Sequence, residues 1–275
     1  MWPFGRTNLC GRLGCVEVVI LSGKEEAGAV AADAIEALFR AKPEAVLGLA
    51  TGSSPLPIYN ELARRHDELG LSFTQAQGFA LDEYVGLPVG HPESYREVLR
   101  REFTERVDID PSRVHAPNGA AADLVAACAE YEEAIKLAGG VDLQILGIGT
   151  DGHIGFNEPV SSLASRTRIK TLTEQTRADN ARFFNSLDEV PHHVVTQGLG
   201  TIMEAKHILL IANGGQKAAA VKALIEGPVA AFCPASVLQL HPHVTVLIDE
   251  ESAVQLELAD YYRHTWANKP HWQGL

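Results

Sequence analysis

The sequence has few cysteines, few basic residues and no long apolar run. Its four cysteines form no C-x-x-C pair, which argues against a redox motif. Lys and Arg number 23 against 35 Asp and Glu, and the net charge of −12 disfavours nucleic acid or an anionic membrane as a partner. No apolar segment has the length of a membrane span, and the N-terminus lacks the apolar region of a signal peptide. The composition therefore predicts a reduced, cytoplasmic protein.

The first residues of the chain lack the regular patterning that begins at Val16. We expect residues 1–15 to form a flexible extension and residues 16–275 to form a single domain, because no low-complexity linker divides them. Cys10 and Cys15 have no nearby histidine that would complete a metal site. Cys128 stands in AACAEY, where a small buried apolar residue is expected.

Short apolar segments alternate with segments of helical periodicity. The predicted strands are VEVVIL (Val16 to Leu21), AVLGLA (Ala45 to Ala50), GFAL, VDLQILGIG, HILLIA and VTVLID, and one predicted helix runs from about Ser94 to Val107. This alternation predicts an α/β fold, a Rossmann-like open and mostly parallel sheet with helices on both faces. Ligands of such sheets bind beyond the carboxyl ends of the strands, where we expect TGSS, DEYVGLP, GTDGHIGFNEP and NGGQK.

The segment LGIGTDGHIGFNEP contains a literal G-x-G-x-x-G motif at Gly147, Gly149 and Gly152. A dinucleotide site would require a helix after the third glycine and an acidic residue about twenty positions later. Here Gly155 and Pro159 interrupt any helix, and the later region reads RIKTLTEQ. The motif is therefore a weak indication of a dinucleotide, and no Walker A sequence indicates a nucleoside triphosphate.

The same segment carries three titratable side chains close to one another. His153 has Asp151 two residues before it and Glu158 five residues after it. A carboxylate that holds one imidazole nitrogen fixes the tautomer and leaves the other nitrogen for proton transfer. LDEY adds Asp82 and Glu83 after a buried strand, and we expect one of these adjacent carboxylates to face the cleft. The pattern favours an acid/base centre, with a structural loop histidine as the alternative.

Metal binding is a second alternative for His153, but no other histidine stands at ligand spacing. His192 and His193 are adjacent and are expected at the surface. His241 and His243 flank a proline in a segment expected to be a loop. The sequence therefore predicts no metal.

Two loops have the features of a phosphate site. Thr51, Gly52, Ser53 and Ser54 precede a helix whose first turn holds Pro55, so free N–H groups and hydroxyls meet at the positive end of a helix dipole. An ordinary N-cap by Ser53 or Ser54 is the alternative.

Gly214 and Gly215 form a second loop between a predicted strand, HILLIA, and a predicted helix. Lys217 at the start of that helix has the charge to neutralise an anion. A solvated lysine is the alternative there.

Taken together, these motifs resemble the glucosamine-6-phosphate deaminase family. The resemblance spans roughly Val16 to Asp249 and rests on LATGSSP, LDEYVGLP with HPESY, GIGTDGHIGFNEP, SSLASRTRIKTL, NARFF and LQLHPHV, in order and at family spacing. The departures are the N-terminal extension, two serines where many members have GG or GT, and the tail LADYYRHTWANKP. The resemblance implies conversion of glucosamine 6-phosphate and water to fructose 6-phosphate and ammonia.

The resemblance also implies roles for individual residues. Asp82 would move a proton from C2 to C1 through an enolamine, and His153 would act on the ring oxygen, with Asp151 and Glu158 setting its charge and orientation. The sugar phosphate would be held by the segment from Thr51 to Ser54 together with Arg182 and Lys217. No metal, pyridoxal phosphate or nucleotide is implied.

A regulatory site is implied as well. Ser161, Arg168 and Lys170 match the segment that binds the activator N-acetylglucosamine 6-phosphate between subunits of a hexamer in allosteric bacterial members. An exposed basic strand is the alternative reading of this segment. The residues before Val16 would displace the terminal amine that helps form that pocket, so we expect activation to be weakened or to need their removal.

Two other functions are compatible with the predicted fold. A 6-phosphogluconolactonase would reuse the phosphate loops for ester hydrolysis, but it is not expected to combine LDEYVGLP with DGHIGFNEP. A non-catalytic sugar-phosphate sensor would carry a DNA-binding helix-turn-helix, and the residues before Val16 are too few to form one.

Overall fold

The computed structural model describes residues 15–271 and 273–275. The predicted N-terminal extension, with Cys10, lies outside the described residues except for Cys15, which begins the first strand. In chain order the strands are β1 (Cys15–Leu21), β2 (Val46–Leu49), β3 (Gln77–Ala80), β4 (Asp82–Tyr84), β5 (Val114–His115), β6 (Leu143–Leu146), β7 (Arg168–Thr171), β8 (His193–Thr196), β9 (His207–Ala212) and β10 (His243–Asp249). The α-helices are α1 (Lys24–Ala41), α2 (Leu56–Leu69), α3 (Tyr95–Glu102), α4 (Leu124–Leu137), α5 (Glu174–Asn180), α6 (Leu199–Ile202), α7 (Ala218–Ile225) and α8 (Ala259–Ala267).

The main sheet has seven parallel strands in the order β1-β10-β9-β6-β2-β3-β5 and is flanked by helices, which confirms the predicted α/β fold. The strands β2, β6 and β9 are buried along their whole length, as their continuous apolar sequences indicate. Gln144 is the polar exception in β6. Its side chain fits because it faces Gly48 of β2, where a Cβ would lie 2.0 Å from Gln144 Oε1.

A second sheet was not anticipated from the sequence. It has three antiparallel strands in the order β4-β8-β7, and it holds Asp82 opposite Thr196. The strands are short, and β7 alternates between half-buried and exposed residues, so no long apolar run marks this sheet. This sheet holds β4, the strand that contains the candidate base Asp82.

The third helix is shorter than predicted. It ends at Glu102, and a 3-10 turn, Thr104–Arg106, replaces the expected continuation to Val107. Between them, Phe103 is fully buried, with its ring centroid 4.8 Å from that of Tyr59 and 5.7 Å from that of Phe73. Packing of this ring, rather than helical periodicity, therefore determines where the helix ends.

The four predicted loops follow four neighbouring strands. In the sheet β9, β6, β2 and β3 are adjacent, so the loops after them emerge side by side at one edge. This edge is where open parallel sheets bind ligands. Within the described residues, no helix is both long enough and apolar enough to span a membrane.

Candidate active site

The glycines of the loop after β6 make room for side chains rather than for a pyrophosphate. A Cβ on Gly149 would lie 2.3 Å from the imidazole of His153, and a Cβ on Gly152 would lie 2.6 Å from Cys233 Sγ. The chain then turns through a bridge between Ile154 and Asn157, and the next helix in the described part of the chain is α5. No helix therefore starts at the third glycine.

His153 forms an ion pair at the centre of this loop. Its Nδ1 lies 2.7 Å from Asp151 Oδ1 and 3.6 Å from Glu158 Oε2. Burial favours the neutral imidazole, but the close contact with Asp151 and the charges of both carboxylates outweigh it and raise the pKa of His153 to about 9. The pKa of Asp151 is lowered, because the contacts with His153 outweigh its burial. A pKa of this height makes the imidazolium the main form of His153 at neutral pH, and no residue in the described part of the chain bonds its other ring nitrogen.

The same three side chains also have ligand atoms within 4.8 Å of one another, a spacing that a metal ion can bridge. A protonated His153 offsets one of the two neighbouring carboxylate charges, so the cluster has an internal partner for its histidine. The arrangement suits a positioned acid.

Asp82 is the other titratable group at this loop. It is buried, with 6% of its surface exposed, and no described residue donates a hydrogen bond to its carboxylate. Burial and then the charge of Glu83 raise its pKa to about 8, against an opposing effect of His153. Its Oδ2 lies 3.7 Å from the position of a Cβ on Gly155, so it adjoins the histidine loop. An unsolvated carboxylate of this kind is suited to proton transfer.

Glu83 points away from the cleft, in agreement with the expectation that one of the two carboxylates would face it. Its Oε1 accepts hydrogen bonds from the backbone N–H groups of Tyr84 (2.8 Å) and Tyr95 (3.0 Å), and its Oε2 accepts one from Arg96 (3.0 Å). The last two belong to the first turn of α3. Glu83 therefore anchors a helix N-terminus.

The predicted phosphate loop at residues 51–54 connects strand β2 to helix α2. Helix α2 has Pro55 as its N-cap and no side-chain cap, so neither Ser53 nor Ser54 caps this helix. Gly52 has a φ of +92°, which lets the backbone turn between strand and helix. Ser54 lies against the neighbouring loop, 3.3 Å from the position of a Cβ on Gly147. The hydroxyls and N–H groups thus lie beside the histidine loop.

Two basic residues, Lys217 and Arg182, lie near the histidine loop. Lys217 belongs to the 3-10 turn Gly215–Lys217, and Arg182 belongs to the turn Ala181–Phe183 that follows α5. Burial lowers the pKa of Lys217, Asp179 and Asp151 oppose this, and the charge of Arg182 lowers it further. The two cations and Asp151 are therefore close enough to interact. The exposed Arg182 guanidinium lies 4.7 Å from the ring centroid of Phe183.

Two of the three residues of the predicted activator segment contact the histidine loop directly. Ser161 is buried, and its Oγ donates a hydrogen bond to the Glu158 carbonyl at 2.6 Å. Arg168 Nη1 donates to Asn157 Oδ1 at 2.8 Å. Lys170 lies further along β7 and is half-buried. The segment thus includes a basic strand that is hydrogen-bonded to the loop of His153.

The remaining histidines lie outside this cluster. His192 and His193 are exposed, as expected. The expectation of a loop at LHPHV was partly wrong, because His243 begins β10 and its ring stacks on that of His207 with centroids 3.7 Å apart. His241 is buried, with its Nε2 at 2.7 Å from the Ala205 carbonyl oxygen. Packing of the rings at the start of the two strands determines this arrangement.

Sequence reasoning missed Thr176, which donates a hydrogen bond from Oγ1 to Glu158 Oε1 at 2.7 Å. In TLTEQTR it looks like an ordinary polar residue in the first turn of a helix. Asn157 was also missed, although its position beside Glu158 in the loop is a signal. It is fully buried and donates from Nδ2 to the carbonyls of Ile154 and Gln197, both at 2.9 Å.

A parallel sheet with titratable and basic side chains on loops at one edge is the architecture of a family of sugar-phosphate isomerases and lactonases. The chain belongs to the glucosamine-6-phosphate isomerase/6-phosphogluconolactonase family, whose model matches residues 23–247. Within that family, curated relatives of high identity include glucosamine-6-phosphate deaminases. One from Arthrobacter sp. (strain FB24) is 72% identical over 260 residues, and one from Mycolicibacterium smegmatis is 64% identical over 261; each alignment covers 94% of this chain and 100% of the relative.

Two solved structures resemble this chain in fold. A monomeric glucosamine-6-phosphate deaminase is 46% identical with a TM-score of 0.85, covering 87% of this chain and 99% of that one. A 6-phosphogluconolactonase from Trypanosoma cruzi has a TM-score of 0.72 at 21% identity, covering 89% of this chain and 98% of that one. The second comparison shows a shared fold.

Proposed function

We propose that this chain is a glucosamine-6-phosphate deaminase, a hydrolase acting on a C–N bond that converts glucosamine 6-phosphate and water to fructose 6-phosphate and ammonia. The proposal rests mainly on one observation: the buried carboxyl group of Asp82 lies next to the loop that holds the His153 imidazolium. Isomerisation of an amino sugar needs one group that takes a carbon-bound proton and another that gives a proton to oxygen. The relatives named above support this substrate.

Ring opening is the first step of the proposed mechanism. His153 donates a proton to the ring oxygen as the bond from C1 to that oxygen breaks. The C1 hydroxyl gives its proton back to the imidazole through water, so the open-chain amino aldose forms and His153 is again an imidazolium. Asp151 and Glu158 hold the imidazole by Nδ1, so the other ring nitrogen faces the substrate. The phosphate end is held by residues 51–54, Arg182 and Lys217.

Proton transfer between carbons follows. Asp82 takes the proton from C2 while one proton of the substrate ammonium passes through water to the C1 oxygen, which gives an enolamine. Asp82 then returns its proton to C1, which leaves a protonated imine at C2. Water adds to that imine and ammonia leaves, giving the ketose phosphate. This sequence uses no metal, pyridoxal phosphate or nucleotide, since every proton is moved by a side chain or by water.

An assay with three outcomes separates this function from its alternatives. Purified protein is supplied with glucosamine 6-phosphate or with 6-phosphogluconolactone, and ammonia and acid are measured. Ammonia release alone supports the deaminase, acid release alone supports a lactonase, and neither product supports a sensor. We also propose a cytoplasmic location, because the substrate is a phosphorylated sugar and both Cys128 and Cys233 are free thiols.

The activity is expected to have a bell-shaped pH dependence with an alkaline optimum. Asp82 must lose its proton, so kcat/KM rises through its pKa of about 8. His153 must keep its proton, so kcat/KM falls above its pKa of about 9. The measurement is kcat/KM for glucosamine 6-phosphate from about pH 6 to about pH 10 at constant ionic strength. An optimum well below the pKa of Asp82 would contradict these roles.

Activation by N-acetylglucosamine 6-phosphate is the regulatory part of the proposal. The activator is expected to lower the half-saturating concentration of glucosamine 6-phosphate, and Lys170→Ala is expected to abolish this effect because it removes a cation from the activator phosphate. Full-length protein and a version starting at Val16 are compared, since residues before Val16 are expected to obstruct the pocket. If both versions show hyperbolic kinetics that the activator does not change, the activator site is contradicted and β7 has only a structural role.

A homo-oligomer, with a hexamer suggested by the family resemblance, belongs to the same proposal. The 46% identical relative is described as monomeric, so membership of the family does not decide the oligomeric state. Light scattering during size-exclusion chromatography, with and without the activator, measures the mass directly. A monomer under both conditions would rule out a pocket formed between subunits.

A further inference from the structure

The Glu158 carboxylate has a second anchor besides His153. It is 4% exposed, its Oε2 faces His153 Nδ1 at 3.6 Å, and its Oε1 accepts the hydrogen bond from Thr176 Oγ1 at 2.7 Å. We propose that Thr176 is a positioning residue that fixes the orientation of Glu158 toward His153 during deamination. This role rests on the proposed function.

The direction of the hydrogen bonds follows from the chemistry of the groups. A carboxylate only accepts, so the Thr176 hydroxyl must donate to Glu158. The Thr176 oxygen is then an acceptor for Thr173, whose Oγ1 lies 2.9 Å away. Thr173 is the N-cap of α5 and accepts from the backbone N–H of Thr176 at 3.1 Å. A chain of hydroxyls thus connects the helix cap to Glu158.

This contact links the catalytic loop to the phosphate side of the site. Thr176 lies in the first turn of α5, and the 3-10 turn with Arg182 follows directly after this helix. One short helical segment therefore contacts the catalytic carboxylate near its start and leads to a phosphate cation at its end.

Thr176→Val is the main test, because valine keeps the shape of threonine and removes the hydroxyl. We expect kcat for glucosamine 6-phosphate to fall about tenfold or more, with a smaller change in KM, since a misplaced catalytic group costs turnover. Thr176→Ser keeps a hydroxyl and is expected to restore kcat. Thr171→Val is the matched control, an exposed threonine of the preceding strand.

A second readout is independent of deaminase activity. The His153 imidazole is titrated by NMR in wild type, Thr176→Val and Thr176→Ser. Glu158 raises the pKa of His153, so a misoriented Glu158 is expected to lower that pKa in the valine variant and not in the serine variant. Thr176→Ala serves as a second hydroxyl deletion if the valine variant does not fold.

The outcomes are distinct. An unchanged His153 titration in the hydroxyl deletions overturns the proposal, whether or not the wild type releases ammonia. A loss of kcat that is equal in Thr171→Val, or that Thr176→Ser fails to restore, also overturns it. If wild type releases no ammonia but its histidine titration responds to Thr176→Val, the proposed function fails and the positioning role of Thr176 stands.

Discussion

Asp82→Asn is expected to lower kcat for glucosamine 6-phosphate by about 10²–10⁴-fold, the range for loss of a positioned acid or base. Asparagine keeps the shape of the side chain but cannot take the proton from C2. KM is expected to change little, because the phosphate contacts lie on other loops. The measurement is steady-state ammonia release by both proteins at the pH optimum of the wild type.

The same variant is expected to be more stable than wild type. The pKa of Asp82 is raised from 3.8 to about 8, so the folded protein holds a proton that the unfolded chain releases between these values. The wild-type free energy of unfolding therefore decreases as pH rises from about 4 to about 8, and Asp82→Asn removes this decrease. We expect a gain of about 2 kcal/mol near neutral pH, because one pKa unit corresponds to about 1.4 kcal/mol and the buried amide opposes part of it.

Glu83→Gln is the matched control for Asp82→Asn. Glu83 is the adjacent buried carboxylate, but it accepts three backbone hydrogen bonds, two of them from the start of α3. Its replacement is expected to lower the melting temperature and to leave kcat nearly unchanged, the opposite pattern to Asp82→Asn. If Asp82→Asn turned over at the wild-type rate, or if the two variants lost activity equally, Asp82 would not be the base.

The main sheet could be predicted because its strands are buried on both faces. HILLIA is an almost wholly apolar run and VDLQIL a largely apolar one, and buried segments of this kind between helices indicate a parallel sheet. Their loops then had to emerge at one edge, so the predicted phosphate and acid/base segments meet there. The cluster around His153 could also be predicted from the sequence, because Asp151 and Glu158 are close to His153 along the chain.

The small antiparallel sheet could not be predicted in the same way. Its strand β4 has three residues, DEY, and two of them are carboxylates that strands rarely bury. They are buried because β8 pairs with them and α3 presents N–H groups to Glu83, and both contacts are made by residues distant in sequence. The raised pKa of Asp82 depends on this tertiary burial, which no local pattern reveals.

Lys217→Ala and Arg182→Ala are each expected to weaken binding of glucosamine 6-phosphate by about 10- to 100-fold, the cost of a charge-assisted hydrogen bond of about 1.5–3 kcal/mol. Unphosphorylated glucosamine is expected to bind almost as it does to wild type. The half-buried Lys217 has the greater effect, because its ammonium is partly desolvated, whereas Arg182 is exposed. Calorimetry with both sugars measures the difference.

Lys222→Ala is the control for these two variants. Lys222 lies on α7, close to Lys217 in sequence, but its ammonium pairs with Glu257. Its removal changes the net charge by the same amount and is expected to leave both sugars' affinities unchanged. A comparable loss in Lys222→Ala would show that long-range charge attracts the substrate. An equal loss for both sugars in Lys217→Ala or Arg182→Ala would place those residues away from the phosphate, because only a phosphate ligand distinguishes the two sugars.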